Sequence, residues 1–435
     1  MATSSPASWL LAQEARALLT RLAQIKPFAL QESMVPAAAF PLSAQTAIER
    51  YLAEGRRDLH QRVHAFLNWL QGPEGRDATP EDAQRQFTFL RLKFNIVLTH
   101  FDLFADVLTQ RSEHDTGVWL AGLDVLAADA LELPGGYYQT PPVICYLDRG
   151  VGAAIRRART RLPGGGENPV AIIRVPRERM IGNGIGSSLV HEVGHQASAL
   201  LDLVNSLRPV LQQQESDAED SIWRIWERWI SEILADFWSV ARLGIGSTLG
   251  LMGVVSLPSA FVFRLNLNDP HPFPWIRVKL SCALGQALYP HPQWAKVAEV
   301  WESFYPKTGL SAAKQNLLAQ LEAGIPKFLS LLLDHRPPAL HGRALSEVMG
   351  VEEHQPAQLS AYWRSWRTAP AQLRTASPSL VFAVIGQARA NGALSPEKES
   401  VLLAKLLTYW ALRSTLDTSA LCADLPRVRV SAPVT

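Results

Sequence analysis

Apolar residues recur at helical spacing over both ends of the chain and collapse into short continuous runs only near its middle. From Trp9 to about Ala130 the pattern predicts helices throughout. Between Ala44 and Leu70, residues Ile48, Leu52, Leu59, Val63, Phe66 and Leu70 share one broad face, with Arg56, Arg57 and Asp58 opposite. Pro80 and Glu81 start a further helix, because proline at the first helical position loses no hydrogen bond. That helix is expected to reach about Gln110, with Phe87, Leu90, Phe94, Leu98, Phe101 and Leu108 on its inner face. The texture then changes. Pro134-Gly135-Gly136 breaks the chain, and the runs Pro142–Leu147 and Val170–Val175 have the character of strands. Arg149–Arg161 reads as a helix between them, its arginines on a solvated face, and another helix begins near Gly184. Beyond Trp294 helices return over Leu310–Leu333, Leu359–Trp366 and Pro378–Leu412, the last broken at Gly392. The expected fold class is α+β, predominantly helical. A small core over 135–300 is flanked by helical regions at 1–134 and 301–435.

Composition narrows the function classes. The chain has 435 residues, of which 47% are hydrophobic and 19% charged, enough to bury a sizeable core. Its 42 basic and 40 acidic residues leave a formal net charge of +2, so no global field favours nucleic acid. Cys145, Cys282 and Cys422 are odd in number and widely spaced, which argues against a disulfide framework and for a reducing compartment. The first 19 residues lack the basic start of a secretory signal and carry Glu14, so a cytoplasmic protein is expected. Residues 243–263 are uncharged and long enough to span a bilayer. Their four glycines, with Ser256 and Pro258, point instead to a buried, glycine-faced helix. The oligomeric state is open.

The candidate chemistry sits in Ser188–Gln196, where His191-Glu192-Val193-Gly194-His195 lies inside a helical apolar pattern running from Ile185 to Val204. Histidines at i and i+4 project from one helix face, so both imidazoles reach a single ion. Glu192 stands beside them, placed to take a proton from water at the metal. A third ligand six residues past His195 fails, because Leu201 stands there. A carboxylate from a later helix is the other solution. The helix expected over Ser221–Leu243 carries Glu232 and Asp236 four apart on an apolar, tryptophan-rich face. Two carboxylates on a buried face are costly without a compensating cation. Zinc bound by Glu232, with Asp236 accepting from a ligand imidazole, supplies it.

His-Glu-x-x-His followed by Glu-x-x-Ala-Asp resembles the gluzincin zinc metallopeptidases, most of all the branch of the CAAX-prenyl and heat-shock membrane proteases. In that branch a His-Pro pair and then an arginine follow; here they are His271-Pro272 and Arg277. The resemblance covers about residues 170–280. It implies a zincin-like core with one zinc ion per chain held by His191, His195 and Glu232. It further implies Glu192 as general base, Asp236 behind a ligand imidazole, and His271 as a donor to the oxyanion. Zincins hold peptide substrates on a sheet edge, for which Val170–Val175 is the candidate. The expected function is zinc-dependent cleavage of a peptide or protein, as an endopeptidase. The alternatives are a zinc-containing scaffold and a zinc hydrolase of non-peptide amides.

Overall fold

A computed structural model describes residues 5–24, 34–149, 152–162, 166–176, 182–214, 222–266 and 269–424. Of the described residues 75% are helical, and they form one small mixed sheet, so this is a predominantly helical α+β protein. Contacts divide it into two compact units. The first comprises Met1–Ala121, Ala158–Val170 and Ala411–Thr435, and the second Gly122–Arg157 and Ala171–Trp410.

The first unit is built on helices α1 (Pro6–Gln24), α2 (Leu42–Gln71) and α3 (Pro80–Thr109), followed by the start of α4 (His114–Leu131). Along α2, every apolar position named above is buried, joined by Ala44 and Leu67. Thr79 caps α3 by accepting from the Asp82 amide, with Pro80 at the first position. Its face buries Phe87, Leu90, Phe94, Phe101 and Leu108, with Val97 in the expected place of Leu98.

The second unit contains the sheet. Strand β1 (Val143–Asp148) pairs parallel with β3 (Ala171–Pro176), and β2 (Ala154–Arg156) pairs antiparallel on the other side of β3. The strand order is β1-β3-β2. This corrects two expectations. No helix forms between Gly152 and Leu162: Ile155 lies opposite Ile173 in the ladder, and Arg159 turns the chain with φ 60°. Pairing with a distant strand outweighs local helical preference there, as happens for short segments whose partner lies elsewhere in the chain. Consequently β3 is the central strand, with β1 and β2 at the two edges.

Helix α5 (Asn183–Leu200) follows, then α6 (Leu203–Gln212), α7 (Ile222–Leu243) and α8 (Ile245–Val255). Helix α5 stops before the end of its apolar pattern because Asp202, at φ 51°, breaks the backbone ahead of α6. Helix α7 ends at Gly244, φ 56°, and α8 ends before Pro258, so 243–263 is not one continuous helix. Among the described residues no helix is long and apolar enough to cross a membrane. Among the described residues the longer helices that follow are α9 (Pro274–Leu288), α10 (Gln293–Phe304), α11 (Ala312–Leu333), α12 (Pro356–Thr368), α13 (Pro378–Ala390) and α14 (Pro396–Asp424).

The packing of α5 on α7 positions the site. A Cβ on Gly194 would stand 2.8 Å from the Ala235 Cα and 2.9 Å from the Trp238 Cβ. Only glycine opposite alanine lets the two helices approach so closely, and this places the polar residues of each against the other. Trp226, Trp229 and Trp238 fill the surrounding core, and the Trp238 indole donates to the Ala130 carbonyl at 2.9 Å.

Candidate metal centre

His191 and His195 lie one turn apart on α5, their rings edge to face with centroids 4.9 Å apart. Glu232 reaches them from α7. Its Oε2 is 3.3 Å from His191 Nε2 and its Oε1 is 3.5 Å from His195 Nε2. One ligand atom from each of the three residues falls within 4.8 Å of the others. The Glu232 carboxylate is 7% exposed, and although imidazole nitrogens surround it, its Oε2 makes no well-aligned hydrogen bond. A buried oxygen that is approached but not hydrogen-bonded, among imidazole nitrogens, suits a cation ligated by nitrogen and oxygen. The donor set therefore fits zinc.

Behind His191 runs a chain of close contacts. His191 Nδ1 donates to Asp236 Oδ1 at 2.8 Å, and Arg277 from α9 grips both Asp236 oxygens, Nε to Oδ2 at 2.7 Å and Nη2 to Oδ1 at 2.8 Å. This fork fixes the imidazole tautomer, leaving Nε2 turned toward Glu232. His195 is held more loosely, its Nδ1 3.4 Å from the Ser231 hydroxyl. His271 also arrives. Its Nε2 lies 3.1 Å from Glu232 Oε2 while Asp269 Oδ1 accepts from its Nδ1 at 2.8 Å and from its backbone amide at 3.0 Å.

Burial and charge oppose one another in these groups. Burial alone would push the Glu232 carboxyl up, but His191, His195 and His271 together hold it far below the usual carboxylate range. Asp236 follows the same logic, with Arg277 and His191 outweighing its burial. Burial would lower the His191 pKa, yet the adjacent Asp236 and Glu232 carboxylates raise it to about 9 in the metal-free protein. The Glu232 carboxylate is also the main reason that His271 lies above the ordinary imidazole value.

Every residue expected at the site is thus brought together: His191, Glu192, His195, Glu232, Asp236 and His271. Glu192 is buried at 7% exposure and borders a cavity that His191, Asp236 and Arg277 also line. Asp236 pairs with Arg277, while Arg242 donates to the Glu132 carbonyl. Sequence reasoning missed Ser231 and Asp269. Ser231 immediately precedes Glu232, and Asp269 stands two residues before His271, so each was signalled only by adjacency to a better-marked residue. No family model, curated protein or solved structure matches the chain.

Proposed function

We propose that this chain is a zinc-dependent metallopeptidase of the gluzincin type, acting on a peptide or protein substrate. The observation that carries the reading is the convergence of His191, His195 and Glu232 with Glu192 next to them at a cavity. His191, His195 and Glu232 would hold the ion. When bound, zinc polarises a carbonyl and lowers the pKa of water from 15.7 toward about 7.

The chain's own groups account for the remaining work. Glu192 accepts a proton from the attacking water as its oxygen bonds to the carbonyl carbon, then delivers that proton to the departing amine nitrogen as the C–N bond breaks. His271, held by Asp269, would donate from Nε2 to the developing oxyanion. Asp236, fixed by Arg277, keeps His191 in the tautomer a ligand requires. The side of β2 away from β3, whose neighbours Gly152 and Ala153 border the same cavity as Glu192, would receive the substrate backbone as an added strand.

An intact Glu192 speaks for catalysis over a scaffold role, because structural zinc needs no base and closes its fourth position. The test is cleavage of a mixed peptide library by zinc-loaded protein. Chelator-sensitive turnover is expected, and Glu192→Gln should retain about one zinc per chain while losing roughly 10²–10⁴-fold in rate. Full activity in that variant would remove the assignment.

A further inference from the structure

Two cavities meet at the candidate metal centre, and both are bordered by His271 and Arg277. The larger has a volume of about 300 Å³ and is walled by Trp229, Val255, Leu257, Phe261 and Phe273. At its rim Leu257 and Phe261 remain 44% and 51% exposed. Bulky apolar groups left open beside a concave polar site regain burial when an apolar ligand covers them.

The smaller cavity, about 140 Å³, lies against His191 and Glu192 and is lined by hydroxyls. Three of these belong to a closed ring. Ser187 Oγ donates to the Ser247 carbonyl at 2.9 Å, Ser247 Oγ to Ser239 Oγ at 2.8 Å, and Ser239 Oγ to the Ser187 carbonyl at 3.2 Å. The ring ties α5, α7 and α8 together and uses each hydroxyl proton internally. A Cβ on Gly250 would stand 2.4 Å from the Ser187 Cβ, so α8 already sits against α5 without slack. Close-packed helices joined in this way do not part to admit a larger group, which gives the small cavity a firm size limit.

A chain lying across the centre therefore meets different demands on its two sides. We infer that the site selects peptides with a bulky apolar or aromatic side chain on one side of the scissile bond and a small one, of glycine, alanine or serine size, on the other. The bulky group enters the cavity under Leu257 and Phe261, and the small one enters the hydroxyl-lined cavity. This rests on the peptidase reading above and names its substrate class.

Two hydroxamates test it, acetohydroxamate and 3-phenylpropionohydroxamate, which share a metal-chelating group and differ in the side arm. Titrated calorimetrically into zinc-loaded full-length protein, the phenyl compound should bind about tenfold or more tightly, the scale on which an apolar pocket rewards added hydrocarbon. In Phe261→Asp, a change at an exposed position, the ratio of the two affinities should fall toward one. Equal affinities in the unaltered protein would overturn the selectivity while leaving the metal centre standing. Binding of neither compound to protein with a full complement of zinc would overturn the selectivity together with the reading beneath it. A peptide library adds a second arm. Bonds flanked by bulky residues on both sides, cut as fast as bulky–small bonds, would overturn the size limit of the smaller cavity.

Discussion

The two imidazoles of the cluster come from one helix turn yet are supported unequally. His191 backs onto Asp236 at 2.8 Å, and Asp236 is gripped by both ends of the Arg277 fork. On its Nδ1 side, His195 has the Ser231 hydroxyl at 3.4 Å, near the limit of a useful hydrogen bond. The difference follows from how α7 crosses α5. Asp236 lies one turn beyond Glu232, on the side that α9 covers with Arg277, whereas Ser231 precedes Glu232. One imidazole is therefore oriented by a charged, buried relay and the other by the packing around it. The lesson is that a symmetric motif acquires an asymmetric site once a third helix contributes a charge to one side.

That comparison can be broken from its strong side first. Arg277→Leu leaves the Asp236 carboxylate buried without its main partner, and breaking a buried pair this way costs about 3–5 kcal/mol. Denaturant unfolding should record that loss, and an unchanged midpoint would mean the relay carries no load. Next, Asp236→Asn should weaken zinc affinity about 10–100-fold, while Ser231→Ala should change it by less than about threefold. Comparable effects in the two variants, measured by competition with a chelator, would erase the asymmetry.

The smallest effect is a proton count. His191 has its pKa raised to about 9 in the metal-free protein, so it is protonated at neutral pH and must lose that proton to become a ligand. Zinc binding at pH 7–8 should release about one proton from this group, and the release should fall off as pH rises through about 9. Calorimetry in buffers of differing ionisation enthalpy measures it. The sign for stability is consistent. A raised folded pKa contributes stability that is complete below the unfolded value near 6.5 and is lost as pH rises through about 9. Asp236→Asn should shrink both effects, because Asp236 is the first hydrogen-bond partner that sustains the shift.

Much of this was legible along the chain, and the reason is locality. The i, i+4 spacing of His191 and His195 dictates a shared helix face before any tertiary contact forms. Apolar periodicity likewise specified α2 and α3 down to most of their buried residues. Even Gly194 and Ala235, unremarked as spacers in their motifs, are written into the sequence as the small pair at a helix crossing. The segment around Ile155 was illegible for the converse reason. Its conformation depends on Ile173 across the ladder, and nothing in its own spacing records that partner.

By itself, then, the sequence determined most of the helices, the faces they bury and the pairing of His191 with His195 on one helix face, all consequences of short-range geometry. Only the tertiary structure decided that β3 is the central strand and that Arg277, 41 residues from Asp236, completes the support of His191. It alone decided that a ring of serines closes one side of the centre while Leu257 and Phe261 open the other. Those arrangements depend on how helices and strands distant in sequence pack together, and close packing is a property of the assembled elements that no single segment encodes.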